Sequence, residues 1–257
     1  MTTATATATA RLVTHHTLCD LDLTHPLIAR ALLDCHDMHR LVMRAFRHWV
    51  PDGTPNPRQQ MGILYTSTAD LATNTLTLLV QSRVPGDWTT LPATTFLTPP
   101  STCTVDQKIT QGQHYRFRTV ITPSRYGPHP RTGAHTRHRP TDTSPTAALE
   151  WFTARLQPPG HAPYDRFPRI GADTDPSTLT ARILPRLTSS APQRRLRVER
   201  AEIQGVLTVT DPITFTQTLG NGVGRARAYG CGLLLVKKRQ SHNTTPGQEG
   251  SAPRVRG

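Results

Sequence analysis

Apolar positions change period along this chain, and the changes mark out its elements. From Ala10 to Leu21 apolar and β-branched residues form a first strand. Beyond Pro26 the period becomes helical. Leu32, Cys35, Met38, Leu41, Val42, Ala45, Phe46 and Trp49 recur at three and four residues and predict one apolar helical face over 27–49. Pro51-Asp52-Gly53 ends it. Short strands follow at 61–66 and 75–82, with Asn74 in the turn between them. Residues 85–100 hold only a weak helical stretch around Trp88 and Leu91, and 102–110 reads as a fourth strand. Strand, helix, two strands, weak helix, strand is the order of a ferredoxin-like βαββαβ unit.

The order then starts again. Alternation of Tyr115, Phe117 and Val120 predicts a strand over 114–122. A Pro- and Arg-rich loop fills 123–142, and Ser144-Pro145 caps and opens a helix over 147–156. Residues 196–198 and 203–209 read as the two strands of a hairpin, Asp211-Pro212 starts a helix to Leu219, and 229–236 is a last strand. The fold class is therefore α+β, two tandem ferredoxin-like domains. The expected division is 1–8 disordered, 9–112 the N-terminal domain, 113–239 the C-terminal domain and 240–257 a disordered tail.

Charge changes the picture from a fold to a partner. Thirty Lys and Arg face 17 Asp and Glu, a net charge of +13 over 257 residues. Such a surplus points to an anionic partner, nucleic acid being the commonest. The cation is mostly Arg, which forks and stacks as well as neutralising. No apolar run is long enough to span a bilayer. Four scattered cysteines form no metal-type pairs, and the Thr/Ala-rich start lacks the apolar core of a secretory signal, so a cytoplasmic protein with reduced thiols is expected. Aromatic residues are only 5%, too few for base stacking across a sheet, which leaves loops and phosphate contacts.

Three stretches carry candidate chemistry. His36 and His39 are three apart on the first helix and neighbours on one face. Met38, Leu41, Val42 and Ala45 point to the core, so the histidines face out or toward a cleft. Imidazoles suit proton transfer at neutral pH, and RNA supplies its own nucleophile, the 2′-hydroxyl. In-line attack places entering and leaving oxygens on opposite sides of phosphorus. One histidine with a group from elsewhere therefore serves as well as the pair. A solvated surface pair, or half of a zinc site, is the bland alternative.

Arg116 and Arg118 alternate with apolar residues and share one face of a strand. Arg194, Arg195 and Arg197 form a basic stretch before a strand. Either group could grip phosphates or be a solvated face. Finally, Gly222, Gly224, Arg225 and Arg227 open a glycine-rich stretch that runs into an apolar strand. It is either a tight turn or a nest of bare N–H groups for an anion, flanked by forked arginine donors. A helix before it and a strand after it is the wrong context for a dinucleotide site.

Together these stretches resemble the CasE family, the CRISPR repeat-specific endoribonucleases of type I-E Cascade complexes. The resemblance is carried by 31–46 around Met38-His39-Arg40, by Leu78-Leu79-Val80-Gln81-Ser82 with Asp87-Trp88, by Tyr115-Arg116-Phe117-Arg118, and by 205–211 with 222–234. It covers about 10–238, with 123–142 and 157–193 poorly matched. It implies metal-independent cleavage at the base of a repeat hairpin, without a cofactor, leaving a 2′,3′-cyclic phosphate or 3′-phosphate and a 5′-hydroxyl. The enzyme would stay on its guide RNA beside other Cascade subunits. The catalytic histidine of the family falls on His39. His36 stands where some members have Tyr, and Arg44 where some have a basic residue. The glycine-rich stretch with Arg225 and Arg227 would hold RNA backbone, and Arg194, Arg195 and Arg197 lie where the family has a hairpin that enters the RNA stem. A non-catalytic hairpin-binding subunit is the alternative function, and a generic basic protein of ribosome or DNA a weaker one.

Overall fold

A computed structural model describes residues 7–123, 125–128, 135–138, 144–165, 167–189 and 196–239. The expected disordered termini (save residues 7 and 8), together with Arg194 and Arg195, lie outside the described residues. The first sheet holds β1 (Thr9–Asp22), β2 (Leu64–Asp70), β3 (Thr75–Ser82) and β4 (Ser101–Thr110). Their order across the sheet is β2-β3-β1-β4, with every neighbour antiparallel. Sequence neighbours separated in the sheet by another strand are the mark of the ferredoxin-like fold.

The helical stretch after β1 is not one helix. It splits into α1 (Pro26–Leu33) and α2 (Cys35–Arg44), and then one turn, α3 (Pro57–Gln60), precedes β2. The break is at Asp34, whose backbone is extended (φ −126°, ψ 119°). Its carboxylate accepts from the His36 N–H at 2.8 Å, so it serves as the N-cap of α2. Periodicity carried across this break because Ile28, Ala31, Met38, Leu41, Val42 and Phe46 pack in one core.

The second unit is built from β5 (His114–Ile121), the short ribbon β6 (Arg125–Pro128) and β7 (His135–His138), α4 (Pro145–Thr153), β8 (Ala172–Asp173), β9 (Thr180–Thr188), β10 (Arg197–Val209), α5 (Pro212–Asn221) and β11 (Leu234–Lys238). Its sheet runs β11-β5-β10-β8, with β9 also pairing β10. Two sequence expectations are corrected. Residues 196–209 are not a hairpin in themselves: β10 is one long strand, and its hairpin partner is β9, from the stretch that had no assigned structure. The last strand begins at Leu234 rather than at 229, because 227–229 form a 3₁₀ turn.

Tyr115, Phe117, Phe152, Ala201, Ile203 and Phe215 fill the core under the second sheet. On its other face, Glu202 is 1% exposed and ion-paired with Arg118 at 2.6 Å and Arg182 at 2.9 Å. A buried carboxylate is tolerable only with such partners. Burial pushes the Glu202 pKa up, but the hydrogen bonds from Arg182, Gln204 and Arg118 outweigh it and hold it below the ordinary value. The two units are bolted together by α5. Gln81 Nε2 donates to Leu219 O at 2.8 Å, and Arg83 Nη2 to Asn221 Oδ1 at 2.8 Å.

A carboxyl with a depressed folded pKa contributes stability above its unfolded value and loses it as pH falls. Glu202→Gln is therefore expected to cost about 1–3 kcal/mol at pH 7, the arginines being partly exposed. The gap between it and the parent protein should narrow as pH falls below about 4.5, where the unfolded carboxyl also protonates. Denaturant midpoints across pH check this; a pH-independent gap contradicts it.

Candidate active site at the histidine helix and glycine-rich loop

The site forms where α2 meets the 3₁₀ turn Arg227–Tyr229 of the glycine-rich loop. As expected, Cys35, Met38, Leu41 and Val42 are buried and the half-buried His36 and His39 lie on another face. That face is covered by Tyr229. Its ring meets His36 edge-on at 5.3 Å between centroids and His39 at 6.3 Å. Tyr229 Oη and His36 Nδ1 are 3.4 Å apart, while His36 Nε2 is buried with no hydrogen-bond partner among the described residues. The structure thus places Tyr229 on both histidines.

The loop reaches α2 through a chain of tight contacts. At Gly222 (φ +78°) a Cβ would stand 2.9 Å from Leu64 Cδ2, and at Gly224 (φ +73°) 2.6 Å from the Trp151 ring. These two glycines are thus required by packing within the protein, whatever else the loop holds. Ala226 also takes a left-handed conformation (φ 55°, ψ 29°), uncommon for a residue with a Cβ. Its carbonyl accepts from the Tyr229 N–H at 2.8 Å, which closes the turn. Tyr65 Oη, fully buried on β2, donates to Ala228 O at 2.9 Å.

The electrostatics favour a neutral His39. Burial is the largest cause of its lowered pKa; the positive charges of Arg58, His36 and Arg40 follow, and an interaction with the Ala228 backbone opposes them. Arg58, on α3, was not singled out from the sequence. Arg227 is half-buried and hooked onto its own loop, Nε donating to Gly224 O at 2.9 Å and Nη1 to Asn221 O at 3.0 Å. Arg225 is exposed.

The other sequence candidates spread from this centre. Arg44 lies in the last turn of α2, about 140° round the helix from His39 at ~100° per residue. Among the described residues no hydrogen bond or ion pair joins the two. Arg116 and Arg118 share the open face of the second sheet, but Arg118 is committed to Glu202. Arg197 is exposed at the start of β10, in the β9–β10 hairpin. That hairpin touches the N-cap of the histidine helix just beyond the end of β9, where Ser189 Oγ donates to Asp34 Oδ2 at 3.4 Å. No group of three metal-ligating side chains is found among the described residues, and none of the described helices is long and apolar enough to cross a membrane.

Comparison with known proteins follows the same lines. Curated protein sequences return no match. Among solved structures, Thermus thermophilus Cse3 bound to an RNA representing a pre-cleavage complex is similar at 22% identity and TM-score 0.64, over 88% of this chain and 99% of that one. The CRISPR-associated protein Cas6e from Escherichia coli K-12 is similar at 16% identity and TM-score 0.59, over 87% and 98%. A chain of a CRISPR RNA-guided surveillance complex is similar at 20% identity and TM-score 0.57, over 88% and 100%. At these identities the likeness shows the tandem ferredoxin-like fold.

Electrostatics at the site make a prediction that needs no RNA. His39 should titrate below 6.5, read from its ring resonances by NMR. Arg58→Gln should raise that midpoint without restoring it fully, because burial is the larger cause. An unchanged midpoint would show that Arg58 does not act on His39.

The family assignment itself comes from a family model, described as CRISPR associated protein, that matches residues 14–238. The chain belongs to this CRISPR-associated family, in line with the resemblance of its motifs to CasE members.

Proposed function

We propose that this protein is a metal-independent endoribonuclease that cleaves CRISPR repeat RNA at the base of its hairpin. It then stays on the product as a Cascade subunit. The observation that carries this reading is His39: a half-buried imidazole disfavoured in its charged form, facing a glycine-rich loop with arginines. Solved structures of similar fold are of an endoribonuclease bound to RNA and of a chain in an RNA-guided complex, which supports both halves of the reading.

The chemistry follows from the substrate. The 2′-hydroxyl attacks the adjacent phosphorus, and the bond to the 5′-oxygen breaks. Neutral His39 accepts the 2′-hydroxyl proton as general base. The departing 5′-oxygen takes a proton from an acid on the opposite side, and His36 or a group brought by the RNA fills that role. The products are a 2′,3′-cyclic phosphate and a 5′-hydroxyl. The nucleophile belongs to the RNA, so the step balances without a metal-bound water. Cationic donors beside His39 stabilise the phosphorane charge. Exposed Arg225 and the basic β9–β10 hairpin hold the strands on either side.

Purified protein incubated with its cognate repeat RNA in EDTA should cleave it. His39→Ala should lower the rate by at least 10²-fold while hairpin affinity persists. Cleavage that survives in His39→Ala sinks the assignment of this residue, and cleavage that needs added Mg²⁺ sinks the mechanism. Binding without cleavage in the unmutated protein would favour a protective hairpin-binding subunit. Arg225→Ala should leave the bond-breaking rate of bound RNA intact, weaken binding, and lower the slope of log affinity against log salt by about one. Filter binding across salt concentrations measures it.

A further inference from the structure

Arg58 and Arg227 form an unusual pair. Each is partly buried, and among the described residues neither has a carboxylate within ion-pair distance. Seven other arginines, Arg11, Arg30, Arg40, Arg118, Arg169, Arg182 and Arg186, pair with Asp or Glu. Arg155 and Arg200 are also held by carbonyls, and what sets Arg58 and Arg227 apart is their place beside His39 and the loop. Arg58 is held by backbone alone. Its Nη1 donates to Ile63 O at 2.6 Å, and the Ile63 N–H returns a bond to Arg58 O at 2.9 Å. This double clamp fixes the tight turn through Gly62 (φ +63°) into β2. Two residues on, Tyr65 fixes Ala228 of the glycine-rich loop. The clamp therefore sets Arg58 at the junction of β2, the histidine helix and the loop. Its remaining guanidinium N–H groups make no bond among the described residues.

Two half-desolvated cations near each other and near an imidazole oppose one another. Burial lowers the Arg58 pKa, and the charge of Arg227 lowers it further. Burial lowers that of Arg227 as well. Such an arrangement is costly in the free protein unless an anion arrives to neutralise it. Arg227 is hooked into its own loop, whereas Arg58 bears most strongly of all charges on His39. Arg44, the cation carried over from the family pattern, is joined to His39 by no hydrogen bond or ion pair among the described residues.

We infer that Arg58 is a catalytic residue of the proposed cleavage: its guanidinium contacts the phosphate attacked by the 2′-hydroxyl and stabilises the phosphorane oxygens, with Arg227 holding the loop on the other side. This rests on the endoribonuclease reading. Negative charge grows on the non-bridging oxygens as the fifth bond forms. A forked donor fixed beforehand by Ile63 O stabilises that charge without reorganising. Arg58 thereby takes the place, from a different element, of the basic residue sought at Arg44.

Single-turnover cleavage at saturating protein separates the step from binding. Arg58→Ala is expected to slow cleavage of bound RNA about 10²-fold with less than a tenfold change in Kd. Arg58→Lys should recover part of the rate, and Arg44→Ala should cleave within a few-fold of the parent protein. A parent-like rate in Arg58→Ala, or a loss confined to Kd, overturns the inference. So does an Arg44→Ala loss larger than that of Arg58→Ala. A second measurement needs no variant. The Arg58 Nε–H resonance should shift on adding a repeat hairpin carrying 2′-deoxy nucleotides around the stem base, and an unmoved resonance overturns the contact. If the parent protein proves unable to cleave, the enzyme reading alone fails, and this resonance decides whether Arg58 meets the phosphate.

Discussion

One hydrogen bond holds the site in place: Tyr65 Oη to the carbonyl of Ala228. Tyr65 is buried on the edge strand of the first sheet; Ala228 sits in a loop that belongs to the second. The bond fixes the 3₁₀ turn beside α2, and Tyr229 is then laid against both histidines. A phenol buried on both sides needs such an acceptor. Burial raises its own pKa well above the ordinary value, so it stays a neutral donor across the working range. The glycines around it serve the same contact. A side chain at Gly222 would strike Leu64, and one at Gly230 would press on the Tyr65 ring at 3.2 Å.

The electrostatics of the site follow from that closure. Bringing the loop to the helix removes water from His39 and leaves beside it Arg58, held by a carbonyl rather than a carboxylate, while Arg40, which also acts on it, is paired with Asp37. The neutral imidazole is favoured, and Arg58 and Arg227 have no carboxylate within ion-pair distance among the described residues. One burial event produces both properties. The opposite arrangement is found elsewhere on the same protein: Glu202 pairs with both Arg118 and Arg182 and ties them into the sheet.

Much of this was legible in the sequence, and the limits have physical causes. The histidine pair could be read because helical spacing alone puts residues three apart on one face. The repeated strand–helix–strand order could be read from period changes. Asp34 was missed as a helix break because it interrupts the chain without interrupting the apolar stripe. β9 was missed because its residues are largely exposed and Pro185 interrupts them, so no clean alternation survives. The role of Tyr229 was beyond reach: its partners are 193 and 190 residues away, and nothing local in Ala228-Tyr229-Gly230 points to them. Arg58 was hidden for the same reason. In sequence it is one more arginine in a polar Pro-rich turn; only the folded clamp to Ile63 and the nearness of the Arg227 charge give it a place.

The most direct test of this account is a crystal structure of the protein with its repeat hairpin, made non-cleavable by 2′-deoxy nucleotides around the stem base. One phosphate of the stem base is expected within hydrogen-bond distance of the His39 ring, between α2 and the 3₁₀ turn of the glycine-rich loop. A hairpin seated elsewhere, with no phosphate reaching the gap between His39 and that loop, would contradict it.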